Sequence, residues 1–419
     1  MTMKNPIFVV LAGGIGKNFA PLVTSKTLFP FLGKPFIAHT LEMIEAAGAR
    51  EAIVVCNSEN EQIIQNLSNK KLKIKTIVQD EALGQANALN LVSKIVKDDQ
   101  SIIIMNAVDL IDPLALRGFV KKAIGSYAAI LGMKVNEYFL GGYLKVDGEK
   151  LLGIIEKPKK GEEPSNIANL FFHYFSKPGE IFELIAGQNG EDDAYEKALD
   201  ELIQKNQVSF MVYEGYWQKL KQAHHVLDMT QLFLKHKIKN KIDRTAKIDR
   251  SVKIEGLVQI EAGAKILAGA VIKGPAYIGA STIIGNHCLV RDSIIESDCI
   301  IGFGSEIARS YVGPDCSLHH NFIGDSVLEA EVNPSYGTCT ANLRFDGSKV
   351  KMRLSSKDGE KDQLIETGKE KLGAIMAKGV FLGINCSILP GITIGEKANA
   401  MPGSIIDRSV KAKELFKKD

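Results

Sequence analysis

Excess charge of either sign is missing from this chain. Its 419 residues carry 52 Lys and Arg against 49 Asp and Glu, a formal net charge of +3. A nucleic-acid footprint needs clustered positive charge, so nucleic acid is not expected as a partner. Long hydrophobic runs are also missing. No stretch reaches the roughly 18 apolar residues of a membrane-spanning helix, so no membrane association is expected. The apolar stretch from Ile7 to Ala12 is too short for a signal-peptide core and runs straight into glycines, so the chain is expected to be cytoplasmic. Cysteine is sparse. Cys56, Cys288, Cys299, Cys316, Cys339 and Cys386 show no CxxC spacing, which argues against a zinc site and a disulfide framework. They are expected to be small buried hydrophobes. What is present is an ordinary 45% of hydrophobic residues, enough to exclude bulk disorder. The length implies two or three domains.

The two halves have different periods. Aliphatic residues recur every six positions at Ile242, Ile248, Ile254, Ile260, Ile266, Ile272, Ile278, Ile284 and Val290. Two positions before most of them stands a small or β-branched residue: Ala246, Val252, Val258, Ala264, Ala270, Ala276, Thr282, Cys288. A period of six is neither helical nor that of an isolated strand. It fits a coil whose unit is one short strand and one turn, with the aliphatic residue inside and the small one at the corner. The register slips by one near Ser293, resumes at Ile295, Ile301 and Ile307, and returns at Leu382, Ile388, Ile394 and Ile406. Such a coil is a parallel β-helix, a solenoid whose neighbouring turns bury one another. The hexapeptide pattern resembles the left-handed β-helix of the hexapeptide-repeat acyltransferases, and the expected handedness comes from that resemblance. In the first half, strands at Ile7–Leu11, Ala52–Cys56, Ile74–Gln79 and Ser101–Asn106 alternate with helical patterns at Pro35–Ala47, Glu59–Leu67 and Gln85–Val96. This alternation predicts a parallel, doubly wound sheet. The expected fold is an α/β Rossmann-like domain over residues 1–230, a linker over 231–242, and a left-handed parallel β-helix over 243–419.

The strand at Ile7 ends in Leu11-Ala12-Gly13-Gly14-Ile15-Gly16-Lys17. A glycine-rich loop lets backbone N–H groups approach phosphates, although no Gly-Lys-Ser/Thr of a P-loop follows. With Pro21-Leu22 and the run Ser25-Lys26-Thr27-Leu28-Phe29-Pro30-Phe31-Leu32-Gly33-Lys34-Pro35, it resembles the signature of the sugar-1-phosphate nucleotidylyltransferases. Further motifs follow in that family's order: Val78-Gln79 with Leu83 to Leu89, Ala107-Val108-Asp109, Gly141-Gly142-Tyr143, Glu156-Lys157-Pro158, and Ser165-Asn166 to Asn169. The resemblance implies transfer of a nucleotidyl group from a nucleoside triphosphate to a sugar 1-phosphate, with release of pyrophosphate. It implies nucleotide binding by Leu11, Gly13, Gly14, Gln79 and Gly84, with Gln79 at the base. Lys26 would meet phosphate, Asp109 would hold Mg²⁺, and Gly142, Glu156 and Asn169 would bind the sugar. Three positions depart from the family: Lys17-Asn18 replaces Thr-Arg, Val108 replaces a Gly, and Lys219 replaces a second Asp ligand for Mg²⁺. A charged Lys cannot bind a cation. It is expected to pair with Asp109 or to contact phosphate directly.

In the second half the repeat breaks after Leu318, at His319-His320-Asn321-Phe322-Ile323-Gly324-Asp325, and the run Val332 to Gly347 follows, with Lys349 and Lys351 beyond it. A His on a rigid scaffold can act as a general base near neutral pH. This region resembles the acetyltransferase domain of the bifunctional enzymes that make UDP-N-acetylglucosamine, and especially archaeal sugar-phosphate versions with Asn342-Leu343-Arg344-Phe345-Asp346-Gly347. The resemblance implies acetyl-CoA as co-substrate and His319 as the base that deprotonates a sugar amine. Asn333 would contact the sugar, Asn342 the reacting carbonyl, and Lys351 the sugar phosphate. Phe322 stands where that family has Tyr, Ser335-Tyr336-Gly337 replaces an Ala-Gly type turn, and Met376-Ala377-Lys378 replaces an Ile-Gly-Asp repeat. His320 is expected to face away from His319. Ser355 to Lys371 reads as a solvated excursion from the coil, and the basic tail Lys411 to Lys418 is too short for membrane binding. The leading reading is a bifunctional enzyme of nucleotide-sugar synthesis that assembles as a homotrimer or a dimer of trimers. The alternative is a catalytically weakened relative that binds a nucleotide-sugar or serves as a regulatory or assembly subunit.

Overall fold

The computed structural model describes residues 5–14, 16–81, 83–188, 193–354 and 362–417, and of Lys17 the backbone alone. Ile15, the Lys17 side chain, the start of the expected excursion at Ser355 and the tail residue Lys418 therefore lie outside the described residues. The chain divides into two units, Met1–Ile15 with Phe36–Gln218, and Gly16–Pro35 with Lys219–Asp419.

The first unit is built on a nine-stranded sheet. Four strands run parallel in the order Ile102–Asn106, Ile7–Leu11, Glu51–Cys56, Lys73–Val78. Ile102–Asn106 is buried along its whole length, as the apolar run Ile102 to Met105 requires of a central strand. Helices Phe36–Ala47, Glu61–Gln65 and Gly84–Ser93 connect these strands. The expected parallel sheet holds for this part only. Beyond Ile102–Asn106 the sheet continues antiparallel through Ile167–Phe175, Gly142–Asp147 and Lys150–Glu156, and Ala128–Lys134 also pairs antiparallel with Ile167–Phe175. The cause is chain connection. Gly142–Asp147 and Lys150–Glu156 are joined by two residues, and so tight a turn can link only antiparallel strands. Val208–Tyr213 closes this side, parallel to Ala128–Lys134.

The second unit is a left-handed parallel β-helix together with the helix His225–His236 and the segment Gly16–Pro35. Each six-residue repeat supplies one short strand, and three repeats close one turn. Ile260 pairs with Ile278, Ile266 with Ile284, and Ile272 with Val290. The slip near Ser293 is a shortened turn: the coil advances 18 residues from Gln259 to Tyr277, but 17 from Tyr277 to Ile294. Aliphatic residues from Ile260 to Ile323 stack as a continuous interior row, with Ala264, Ala270, Ala276, Thr282 and Cys288 buried at the corners. Burying one such side chain contributes roughly 1.5–3 kcal/mol, repeated at every turn.

Two expectations change here, for Ile242 and Cys339. Ile242 is 49% exposed, because its strand ends its sheet and no turn covers it. Five cysteines are buried and unbridged, but Cys339 is exposed at the break in the repeat. Met376 does not interrupt the interior row: it is fully buried, between Leu328 and Ile394. In the excursion Ser355 to Lys371, none of the described residues, 362–371, is buried. Its strand Gln363–Glu366 pairs with Lys351–Leu354, which precedes it, and Val350, Met352 and Leu372 are buried just outside its bounds.

The segment Gly16–Pro35 is irregular apart from short pieces, yet it is well seated within this unit. Phe31 stacks on Phe233 at 4.9 Å, and Phe29 and Phe31 lie 5.1 and 5.3 Å from the Tyr311 ring. The Tyr311 hydroxyl donates to the Pro30 carbonyl at 2.8 Å. No helix among the described residues is long and apolar enough to cross a membrane.

Candidate functional site

In the first unit the expected residues gather at the C-terminal ends of the parallel strands, where open α/β sheets bind ligands. Leu11 and Asn106 are register partners at the ends of neighbouring strands. Beyond Leu11, Gly13 lies against Gln79: a Cβ on Gly13 would stand 2.8 Å from Gln79 Oε1 and 3.4 Å from the Cys56 carbonyl oxygen. Only glycine fits there without a shift. Gln79 is buried, and its Nε2 donates to the Gly84 carbonyl at 3.2 Å and to Asn87 Oδ1 at 2.9 Å. Gly13, Gln79 and Gly84 thus form one cluster, with Gly14 open beside it.

Asp109 is 1% exposed. Its Oδ1 accepts from Trp217 Nε1 and its Oδ2 from Asn106 Nδ2, each at 3.2 Å. Among the described residues, no group of three His, Cys, Asp or Glu could hold a metal ion.

The expected sugar residues also meet. A Cβ on Gly142 would stand 2.8 Å from Glu156 Oε2 and 3.4 Å from Asn169 Cβ. Asn169 Oδ1 is held by His173 Nε2 at 3.0 Å, and His173 Nδ1 is held by the Tyr195 hydroxyl at 2.7 Å. Burial pulls the His173 pKa down to about 3, so this imidazole is neutral. His173 and Tyr195 were not foreseen. No motif marks them, because they sit behind Asn169 in the apolar interior. A cavity of about 300 Å³ lies at the opposite, N-terminal ends of the same strands, lined by Ile7, Glu51, Ile53, Lys73 and Ile95, and contains none of these residues.

In the second unit, Lys26 is half-buried, its stem beside Gly16 and its ammonium 5.8 Å from the Phe19 ring centroid. Its pKa is lowered to about 8, first by burial and then by repulsion from Lys219 and Lys221. His225, which accepts from the backbone N–H groups of Lys221 and Gln222 at 3.2 Å, is pulled down to about 4 by burial and then by Lys369, Lys221, Lys26 and Lys219. Four half-buried lysines therefore share one electrostatic neighbourhood with a neutral imidazole. Asp228 pairs with one of them, Lys369.

At the break in the repeat, His319 is exposed, with Nε2 3.3 Å from Ser317 Oγ. Its backbone N–H donates to Asn321 Oδ1, while Asn321 Nδ2 donates to the carbonyls of Pro334, Ser335 and Thr338 at 2.8–3.1 Å. Buried Asn321 staples the His319 turn to the turn that carries Asn333, a role the sequence reading missed. His320 is exposed too, so neither ring points inward, as an alternation of inward and outward side chains would have required of one of them. His320 occupies a left-handed corner with φ +54°, where strand alternation does not apply, and its ring stacks between Phe303 and Tyr336. Asn333 is half-buried, and its Oδ1 is buried with no hydrogen-bond partner among the described residues. Asn342 Nδ2 donates to Asp325 Oδ2 at 2.5 Å, and the Arg309 guanidinium holds both oxygens of the same carboxylate at 2.7 and 2.6 Å. Phe322 and Asn342 both crowd Gly324, where a Cβ would lie 2.8 Å from Phe322 Cζ and 2.9 Å from Asn342 Nδ2. Lys351 is exposed on the hairpin and pairs with Glu366 at 2.5 Å.

Comparison with known proteins follows the same division. The nucleotidyl transferase family model matches residues 7–235. A bifunctional sugar-1-phosphate nucleotidylyltransferase/acetyltransferase of Sulfurisphaera tokodaii is 30% identical over 417 residues, covering 97% of this chain and 99% of that protein. A bifunctional protein GlmU of Methanocaldococcus jannaschii is 31% identical, covering 98% of this chain and 97% of its own length. Among solved structures, a UDP-glucose pyrophosphorylase complexed with UDP-glucose matches 55% of this chain and 99% of its own with a TM-score of 0.50. At 15% identity, that match speaks for the fold alone. The chain belongs to the nucleotidyl transferase family and, over its full length, to the group of bifunctional sugar-1-phosphate nucleotidylyltransferase/acetyltransferases.

Proposed function

We propose that this chain joins a nucleoside triphosphate to a sugar 1-phosphate in the cytoplasm, and that its β-helix transfers the acetyl group of acetyl-CoA to an amino-sugar phosphate. The observation that carries the reading is the pairing of two clusters in one unit, Gly13 with Gln79 and Gly142 with Glu156 and Asn169. In each, a glycine stands where a side chain would strike the polar group that reads a ligand. A sugar-phosphate oxygen attacks the α-phosphorus in line, the α–β phosphoanhydride bond breaks, and pyrophosphate leaves with the negative charge. Positioning and charge neutralisation dominate such a step. Gln79 would face the base, Gly13 and Gly14 would admit the nucleotide, Gly142, Glu156 and Asn169 would hold the sugar, and Lys26 would meet phosphate.

The family uses a metal ion, and Mg²⁺ is usually held by one or two carboxylates with the substrate phosphates. The residues here do not fit a two-carboxylate site. Asp109 directs both oxygens at N–H donors, and the family's second carboxylate position carries Lys219. No step is assigned to a metal. Among the described residues, Lys26 lies in the repulsive field of Lys219 and Lys221, and a bound phosphate would offset that repulsion.

In the β-helix, His319 would take a proton from the sugar amine as the nitrogen attacks the thioester carbonyl, with CoA thiolate leaving. Asn333 offers a buried acceptor without a partner among the described residues, which suits a sugar hydroxyl or amide donor. Asn342 would face the reacting carbonyl and Lys351 the phosphate. Trimeric assembly of the coil is part of the reading, and a monomer of the full chain by light scattering would end that part. A second reading, a subunit that binds nucleotide-sugar without turnover, is favoured by the Lys at position 219. One experiment separates them: pyrophosphate release with four nucleoside triphosphates and several sugar 1-phosphates, with and without Mg²⁺, beside thiol release from acetyl-CoA with glucosamine 1-phosphate and its galactosamine isomer. Activity in the first assay supports nucleotidylyl transfer, and silence throughout leaves the binding subunit. Lys219→Asp sharpens the result. It should raise Mg²⁺ affinity measured by calorimetry, and equal affinity in the two proteins would show that Lys219 does not govern metal binding.

A further inference from the structure

The segment that carries Lys26 is held from outside by two buried carboxylates of the coil. Glu296 and Glu329 are each only 2% exposed. Among the described residues, both carboxylates are met chiefly by backbone N–H groups, with the Lys378 ammonium adding a charge interaction at Glu329. Glu296 Oε1 accepts from the Leu32 N–H and Oε2 from the Gly33 N–H, both at 2.8 Å. Glu329 Oε1 accepts from the Thr24 N–H at 2.7 Å, and its two oxygens share the Val23 N–H at 3.2 Å. Its Oε2 also accepts from the Lys378 N–H at 2.8 Å, which ties the contact into the next turn of the coil.

Burying a carboxylate is costly unless hydrogen bonds replace its water. A hydrophobic contact would seat an inert loop at lower cost, and the cluster of Phe29, Phe31, Tyr311 and Phe233 already supplies one. What a bidentate carboxylate adds is direction. It fixes two successive N–H vectors, at Leu32–Gly33 and again at Val23–Thr24, and Lys26 lies between the two anchors. Leu32 and Gly33 adopt left-handed φ values of 52° and 74°, a conformation that leaves both N–H groups pointing the same way, toward the carboxylate.

We propose that Glu296 and Glu329 are positioning residues for the Lys26 segment: the β-helix acts as the template that sets the conformation of a loop used by the nucleotidyl transferase chemistry. The inference rests on the nucleotidylyl-transfer reading for its catalytic consequence, but not for its structural content. It makes the coil a part of the first activity rather than a second enzyme attached to it.

The test uses the full chain with Glu296→Gln, Glu329→Gln and the double substitution. A Gln presents one acceptor and one donor, so one N–H of each anchored pair meets another N–H. Amide hydrogen exchange should rise about tenfold or more over residues 21–34 and stay unchanged over the coil residues 258–290. Pyrophosphate release should lose kcat by about tenfold to a hundredfold, with a smaller change in KM, because a displacement of about 1 Å suffices for such losses. Unchanged exchange in residues 21–34 would overturn the proposal, as would faster exchange with unchanged kcat in an active enzyme. If the Gln variants unfold, Tyr311→Phe replaces them: it removes only the bond to Pro30 and should raise exchange in the same segment, whereas no rise would count against the template. If wild-type protein releases no pyrophosphate with any substrate, the nucleotidylyl reading fails, and the exchange result still decides whether the coil templates the loop.

Discussion

The sheet unit and the coil unit place their candidate residues by different means. In the sheet unit, Gln79 and Asp109 follow the C-terminal ends of parallel strands, and Asn169 stands on an antiparallel strand that continues the same sheet. Each is then fixed by a polar neighbour: Gln79 by Asn87, Asp109 by Trp217 and Asn106, Asn169 by His173. In the coil unit the scaffold repeats, and the residues of interest occur where it stops repeating. His319, Asn333 and Asn342 are near in sequence and are fixed by Asn321 and Asp325, themselves parts of the rigid coil. The sheet unit therefore invests its chemistry in side-chain networks that any one substitution disturbs. The coil invests its stability in a uniform interior and can carry substitutions at the break with little cost to folding.

That contrast fails most visibly if acetyl transfer survives loss of its base. His319→Ala should lower thiol release by about 10²–10⁴-fold. The melting temperature should be unchanged, because the ring is exposed, and pyrophosphate release should be unaffected. His320→Ala is the control. It removes a corner ring stacked on Phe303 and Tyr336 and should change turnover little. Equal losses in the two variants would show that the corner as a whole, not His319, matters.

Next in size is the coil interior. Ile295 is fully buried between Ile278 and Val312. Ile295→Ala should cost about 2–5 kcal/mol in urea denaturation. Ile242→Ala, at the open end of the same row, should cost much less, because its side chain is already half in water. Similar costs at both positions would mean that another chain covers Ile242 in solution, as an assembly could arrange.

In the sheet unit, Gly13→Ala places a methyl 2.8 Å from Gln79 Oε1. Gln79 is buried and tied to Gly84 and Asn87, so it cannot swing aside freely. Nucleotide affinity measured by calorimetry should fall about tenfold, near 1.4 kcal/mol. Acetyl transfer should not change. Gly14→Ala, with nothing within 4 Å, should be milder, and the reverse order would mean that the base does not approach along Gly13.

The coil was legible because its rule is local: six residues, one aliphatic inward, one small residue at the corner. That rule placed Ile260 to Ile307 correctly and failed at Ile242, where it says nothing about whether another turn lies above. The parallel half of the sheet was legible for a similar reason, since helices must separate parallel strands. Its antiparallel extension was not, because Gly142–Asp147 and Lys150–Glu156 announce themselves only by a two-residue connection. Motifs brought forward the residues that touch ligands in the family, and these do cluster. They could not bring forward the residues behind them. His173, Tyr195 and Asn321 have no motif of their own, and Glu296 and Glu329 look in sequence like surface positions of a repeat. Their burial is created by a segment more than 260 residues away in the chain.

The smallest expected effect probes one of those residues by pH. Burial pushes the Glu296 carboxyl up to about 7, and the N–H groups of Gly33 and Leu32 hold it back only in part. An unfolded Glu titrates near about 4.3. Between that value and about 7, the native chain therefore holds a proton that the unfolded chain has lost. Stability contributed by this group must then fall as pH rises through the window and level off above it, with a slope no steeper than about 1.4 kcal/mol per pH unit. The nearby Tyr277 and Tyr311 do not titrate there, since burial first, and the Glu296 charge second, raise both hydroxyls. Other carboxylates and histidines titrate in wild type and variant alike, so the difference between their pH profiles isolates this group. Urea midpoints of wild type and Glu296→Gln, measured from pH 5 to pH 8, should converge toward the acid side and separate toward the alkaline side, with wild type losing the stability. The clamp on Leu32 and Gly33 should tighten over the same interval, as the second oxygen becomes a full acceptor, so loop exchange should slow relative to the coil while global stability declines. Parallel profiles would mean that Glu296 stays ionised down to the ordinary carboxylate range and that its two N–H donors outweigh its burial.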